Sequence, residues 1–269
     1  MGLVKTKKSS SLLSQLLQAL PEGVAVPSAW LLAQGISPQL VHKYVASGWL
    51  IPLARGAYAR PAFPVDWKGV VMGLQQLAQC PVHVGGLSAL NLQNMAHYLP
   101  LGGETFIHLW NDGISTRLPA WASAVEIPQE FVFHRVQLFD PELKEKGLAT
   151  GATQVRDWTV TVSAPERAIM EVLSLVDETP SSFNHASELF EGLPALRPAL
   201  VQQLLAGCRN IKVKRLFLFL ATRQNDPWSK KLDETKVDLG SGKRMVTRGG
   251  YLDQRYLITV PENLSARLK

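Results

Sequence analysis

Cysteine is nearly absent: of 269 residues only Cys80 and Cys208 carry thiols. They lie far apart and form no C-x-x-C pair. This argues against a disulfide framework and a cysteine zinc site, and makes reduced thiols in a cytoplasmic protein the default expectation. Long apolar runs are missing too. The longest, LFLFLA at Leu216–Ala221, is far too short to span a bilayer. Ser14, Gln15 and Gln18 interrupt the amino-terminal leucines, so no secretory signal is read there. The start MGLVKT matches the loose myristoylation pattern through Gly2 and Thr6, a pattern that chance supplies easily. Lys5, Lys7 and Lys8 read instead as a solvated arm able to lie along a phosphate backbone. There is no internal repeat and no low-complexity tract.

What is present is a globular composition, 46% apolar and 19% charged, on a chain long enough for about two domains. The net charge of +6 is unevenly spread: residues 1–65 carry +5, residues 66–208 carry −7 and residues 209–269 carry +8. A basic head, an acidic middle and a basic tail suit a protein with one or two surfaces facing a polyanion.

The head has a legible plan. Leu12, Leu13, Leu16, Leu17 and Leu20 make the apolar stripe of a first helix. Pro27–Gln34 reads as a short second helix ending at Gly35. Ser37 then caps a third helix, with Pro38 at its first position, where no donor is needed. Leu40, Val41, Tyr44 and Val45 fall at helical spacing and predict a buried stripe. Gln39, His42, Lys43 and Ala46 are left on the opposite face. An amide can bridge an adenine edge, a lysine can reach guanine or phosphate, and a small residue permits close approach. After Gly48, WLIPLA and AYAR flank Arg55-Gly56 and read as a hairpin. Three helices and a hairpin make a winged helix-turn-helix, with Gln39, His42 and Lys43 aimed at a groove and Arg55 and Arg60 at flanking phosphates. The plainer alternative is a winged helix used for protein contacts.

Pro-rich ARPAFPVDW marks a boundary, giving a winged helix at 1–65 and a larger mixed α/β domain at 66–269, an α+β protein overall. Helices are expected at Trp67–Gln79, about Leu87–Met95, within APERAIMEVLSLV, and near Ser187–Leu193, Pro198–Ala206 and Lys212–Ala221. TFIHLW, EFVFHRVQLF, TQVRDWTVTVS and the tail beginning KVDLGSGKRMV read as strands. Glu166 suits the first turn of its helix through the dipole.

Candidate chemistry mostly fails. LGSGKR is no phosphate loop, since Val237 and Arg244 stand where glycine and Ser/Thr are required. Gly240 and Gly242 read as a turn between strands, and Lys243, Arg244 and Arg248 as a local basic patch or a solvated hairpin tip. GLSAL lacks the second glycine of a nucleophile elbow, Leu90 standing in its place. His83, His97 and His108, with Glu104 and Asp112, match no metal motif, so neither metal nor cofactor is expected. Glu234 and Lys236 have E-x-K nuclease spacing, with Asp157 as a weak partner acid. No catalytic residue is assigned.

Taken together, LLAQGISPQLVHKYVASGWLIPLARGAYARP, HVGGLSALNLQNMAHYLPLG, VSAPERAIMEVL, LRPALVQQLLAGC, VKRLFLFLA and VDLGSGKRMV resemble, in order and spacing, the AbiEi family of antitoxins. The likeness covers nearly the whole chain. It implies a winged-helix DNA-binding repressor of its own promoter, from a bacterial toxin–antitoxin operon of the abortive-infection (anti-phage) kind. It also implies a carboxy-terminal domain that counters a nucleotidyltransferase toxin, by contact or by acting on the toxin's effect. The family supplies no agreed catalytic residues. Lys212, Lys214, Arg215, Lys243, Arg244 and Arg248 are expected to form a second basic surface, for double-stranded DNA or for countering the toxin. Two other readings stay open: a winged-helix transcription factor whose mixed domain senses a small ligand, and a metal-dependent nuclease using Glu234 and Lys236.

Overall fold

The computed structural model describes residues 12–95, 105–111, 117–155 and 158–262. The head contains helix α1 (12–19), strand β1 (Val26–Pro27), helices α2 (Ser28–Ala33) and α3 (Pro38–Ala46), and strands β2 (Ile51–Ala54) and β3 (Ala57–Ala59). The hairpin is joined by a third strand, giving the antiparallel order β1-β3-β2 with Val26 opposite Tyr58. Leu16, Leu20, Leu31, Ile36, Val41, Tyr44 and Leu50 are buried, so the stripes expected on the first and third helices meet the second helix in one core. Glycine is required at the wing tip, where Gly56 has φ +83° and its carbonyl accepts from Ser28 N–H at 2.9 Å.

The larger part is built on a five-stranded mixed sheet, order β6-β5-β4-β8-β7. Its strands are β4 (His83–Val84), β5 (Phe106–Asn111), β6 (Glu130–Arg135), β7 (Leu148–Val155) and β8 (Trp158–Ser163). Alternation gives the sheet two unlike faces. Val84, Ile107, Leu109, Val160 and Val162 face the core that also holds the winged helix and α4 (Trp67–Met72). His83 and Ser163 lie on the opposite side, under α7 (Pro165–Leu175), and α5 (Gly86–Leu92) packs against α7. Beyond them α8 (Pro180–Glu191), α9 (Pro198–Ala206) and α10 (Ile211–Gln224) enclose a second core centred on Phe183, Phe190, Phe217 and Trp228. A small sheet of β9 (Arg244–Met245), β10 (Tyr251–Asp253) and β11 (Ile258–Val260) closes the chain. A short α6 (Ala120–Ala124) lies between β5 and β6.

Several elements depart from expectation for local reasons. The helix expected at 67–79 changes pitch at Gly73, and Gly73–Leu77 is wound as a π-helix. That turns Gln75 toward β8, where its amide donates to Val82 O and Thr161 O and accepts from Thr161 N–H (2.9–3.1 Å). The glutamine stands in for a strand neighbour that β4 is too short to supply. α8 starts at Pro180, earlier than its apolar stripe suggested, because Thr179 accepts from Ser182 N–H. TQVRDWTVTVS is part of a hairpin of two strands, not one.

The apolar core does not break at residue 66. α4 lies directly on the head: Ala25 N–H donates to Gly69 O at 3.1 Å. A Cβ at Gly69 would stand 1.8 Å from Gly23 O, and one at Gly73 would stand 2.1 Å from Ala25 O. Only hydrogen side chains allow this backbone-on-helix contact. Gly69→Ala is therefore expected to destabilise the protein by about 1–3 kcal/mol, the usual cost of overpacking. Thermal melts and limited proteolysis between head and body check it; an unchanged melting temperature would contradict the contact.

Candidate nucleic-acid interface

α3 is built as its sequence suggested. Ser37 Oγ accepts from Leu40 N–H at 3.3 Å, Pro38 opens the first turn, and Val41 and Tyr44 are buried. Gln39, His42, Lys43 and Ala46 are exposed together on the outer face. The side chains of Gln39, His42 and Lys43 make no hydrogen bond or ion pair among the described residues. Next to this face Trp49 and Ile51 are also exposed, at 45% and 37%. Arg55 is exposed at the wing tip.

Arg60 is a correction. It is mostly buried, its Nη1 donates to Leu17 O (3.2 Å) and Leu20 O (2.9 Å), and its Nη2 pairs with Glu22 at 3.0 Å. The guanidinium satisfies the last carbonyls of α1, which have no partner within the helix, and does not point at a phosphate.

The second basic surface is also mostly dismantled. Lys214 and Arg215 are buried, 4% and 1% exposed. Lys214 Nζ donates to Asp238 O at 3.1 Å. Arg215 donates to Leu239 O (2.7 Å), Gly240 O (3.1 Å), Gly242 O (2.5 Å) and Leu257 O (3.3 Å), so segment 239–242 wraps its guanidinium. The LGSGKR stretch is thus neither phosphate loop nor hairpin tip. Burial, then the nearby Arg244 charge, lowers the Arg215 pKa. Lys212 Nζ donates to Val176 O at 2.6 Å, and burial lowers its pKa too. Arg248 pairs with Glu178 across an exposed contact. Lys243 and Arg244 remain exposed. Arg209, which sequence reading passed over because it sits between two helices, joins Arg244 and Lys212 along an open groove of about 510 Å³.

The nuclease arrangement does not form. Glu234–Lys236 is a 3-10 turn rather than a strand; Glu234 accepts from Arg255 and Tyr256, and Lys236 pairs with Asp233 at 3.0 Å. Asp157 lies outside the described residues, as do His97, Glu104 and Asp112. Glu166 lies in the first turn of α7, as expected, and there also makes a two-pronged ion pair with Arg197 (2.8 and 2.9 Å). His83 and His108 go to separate places. His83 Nε2 meets Glu171 at 2.9 Å, and His108 Nδ1 meets His134 Nε2 at 2.8 Å. No group of three or more metal-ligating side chains occurs among the described residues.

Glu171, 1% exposed, is the hub of a polar cluster that sequence reading missed. It accepts from Ser163 Oγ, Arg167 Nε and Gly86 N–H and meets His83, all within 3.0 Å. Burial alone would raise its pKa; the His83 ring, Arg167 and the Gly86 amide outweigh that and hold it below the ordinary value. The available signal was the i, i+4 spacing of Arg167 and Glu171 inside an apolar helix.

Sequence comparison now bears on this geometry. A family model described as the AbiEi antitoxin N-terminal domain of transcriptional regulators matches residues 9–101. A second, described as a transcriptional regulator, AbiEi antitoxin, of type IV toxin–antitoxin systems, matches residues 104–261. The chain belongs to the AbiEi antitoxin family. No curated protein matches it. Among solved structures, the RV2827C protein from Mycobacterium tuberculosis is similar in fold, with a TM-score of 0.54 at 16% identity, over 94% of this chain and 90% of that one. The antitoxin family models meet between residues 101 and 104, beyond the shared core of head and α4. Among the described residues, no helix of this AbiEi antitoxin is long and apolar enough to cross a membrane.

Two outcomes separate structural from surface cations. Arg215→Met should cost about 3 kcal/mol or more, because several buried carbonyls lose their donor. Lys243→Glu with Arg244→Glu, at exposed positions, should move stability by no more than about 0.5 kcal/mol. Denaturant melts of both variants test this; equal effects would contradict the carbonyl cage.

The His108–His134 pair gives a pH prediction. Burial lowers the His108 pKa, and burial followed by the His108 charge lowers His134 to about 4. The unfolded chain then takes up protons first as pH falls, so the pair's contribution is whole above about 6.5, the ordinary histidine value, and declines towards pH 4. Melts from pH 4 to 7.5 should show this slope, and it should flatten in His134→Gln. An identical slope in the variant would contradict the assignment.

Proposed function

We propose that this protein represses its own promoter by laying α3 in the major groove of double-stranded DNA. Gln39 and His42 then meet base edges, Lys43 meets a guanine or a phosphate, and Ala46 leaves room for close approach. Arg55 at the wing tip contacts flanking phosphate. The observation that carries this reading is the outer face of α3, whose polar side chains Gln39, His42 and Lys43 have no partner among the described residues. Arg60 acts by holding the end of α1 through Leu17 O and Leu20 O and not by touching DNA.

The protein further counters a nucleotidyltransferase toxin from the same operon, without catalysis of its own. This part rests on membership of a type IV antitoxin family. The exposed cations Arg209, Lys243 and Arg244 offer the carboxy-terminal part a polyanion-facing surface smaller than the charge count of the tail suggested.

Gel-shift titrations on the promoter at several salt concentrations test the DNA reading. Gln39→Ala should relax sequence preference at a cost of about 1–3 kcal/mol. Lys43→Ala should lower the salt slope by about 0.9 if the ammonium meets phosphate. Both variants should melt as the parent does. Unchanged affinity and slope in both would remove α3 from the groove.

A further inference from the structure

A cavity of about 490 Å³ opens where the sheet is split. β4 and β8 share one paired position, Val84 with Val162, and Gln75 fills the gap beyond it. The cavity lies beside this gap, lined by Pro81, Val82, His83, Asn111, Leu148 and Thr150 among others. Its size falls in the range of small-molecule sites.

Its wall contains a prepared imidazole. His83 is 4% exposed and lines the cavity. Its Nε2 is held by Glu171 at 2.9 Å, while Nδ1 has no partner among the described residues. Glu171 is itself fixed by Arg167, Ser163 and Gly86 N–H. The Glu171 carboxylate takes up the Nε2 side of the ring, so Nδ1 is the ring nitrogen left for an occupant. Arg167 carries the order outward: its Nη1 donates to Leu143 O, Lys144 O and Lys146 O (2.8–3.3 Å), which sets the cavity's far lip.

The charges offered to an occupant balance. Lys144 and Glu145 at the mouth oppose each other at 3.8 Å, and Glu171 behind the ring is matched by Arg167. The remaining surface combines apolar faces from Pro81, Val82 and Leu148 with the hydroxyl of Thr150 and the amide of Asn111. Among the described lining residues a phosphorylated ligand finds no unopposed cation. An uncharged molecule with apolar surface and a hydrogen-bond donor suits that lining.

We propose that this cavity is a binding site for an uncharged heterocycle of nucleoside size, whose N–H or O–H donates to His83 Nδ1. The site is separate from α3 and does not depend on the promoter-binding reading. The π-wound turn links it to the head: Gln75 lines the cavity and Gly73 lies against Ala25. Such π-turns are frequent at functional sites.

Calorimetric titration of the full chain with adenosine, guanosine, cytidine and uridine tests the proposal, with ribose and the matching 5′-monophosphates as controls. At least one nucleoside should bind with a Kd below about 1 mM, ribose should not, and the monophosphate should bind no more tightly than its nucleoside. Ala149→Trp, at an exposed position on the cavity wall, should weaken binding tenfold or more while the melting temperature holds; Thr150→Trp serves if the first variant does not fold. Binding by none of the four nucleosides, tighter binding of the monophosphate, or unchanged binding in the folded tryptophan variant would overturn it.

Discussion

Two glycines on one helix determine where the winged helix sits. Gly69 and Gly73 let the strand entry at Gly23–Ala25 lie against α4 at a distance no other side chain tolerates. Once that contact is made, the head shares an apolar core with Val84, Ile107, Leu109, Val160 and Val162 of the central sheet. The winged helix is consequently fixed to the body, and α3 presents its polar face outward. α4 is also the helix whose π-turn ties Gln75 to β8, so one element sets both the posture of the head and the split in the sheet.

Part of the positive charge in this chain serves structure and not surface. Arg60, Arg167 and Arg215 each direct a guanidinium at backbone carbonyls at the ends of helices or in loops. The planar fork offers several donors in fixed directions, which suits a cluster of carbonyls better than an ammonium does. Each such arginine spares a buried segment the cost of unsatisfied acceptors. A tail with a net charge of +8 therefore leaves a modest cationic face, because Lys214 and Arg215 are consumed inside and Arg248 is paired with Glu178.

What could be read from the sequence was what depends on near neighbours. The cap at Ser37-Pro38 and the stripe of Leu40, Val41, Tyr44 and Val45 lie within one helix, so α3 and its outer face were legible. The family was legible for another reason, the order of six stretches along the chain. Arg60 was misread because its partners, Leu17 and Leu20, lie 43 and 40 residues away. Arg215 was misread likewise, its carbonyls lying 24 to 42 residues on. A cue was present all the same: Lys214 and Arg215 directly precede LFLFLA in a helix apolar almost all round, and such a helix is buried on every side. Glu171 was hidden by distance too, since His83 lies 88 residues before it. E-x-K failed because Glu234–Lys236 is a single tight turn, and the motif needs an extended strand to put both side chains on one face.

The placement of α3 in the major groove carries the functional reading, and site-specific photo-crosslinking tests it most directly. Benzoylphenylalanine replacing Ala46, on the outer face of α3, is compared with the same group replacing Asn184, exposed on α8. With promoter DNA bound, the group at position 46 should crosslink to bases of the operator, and the group at position 184 should not. Crosslinking at 184 with none at 46, on DNA that is demonstrably bound, would contradict it.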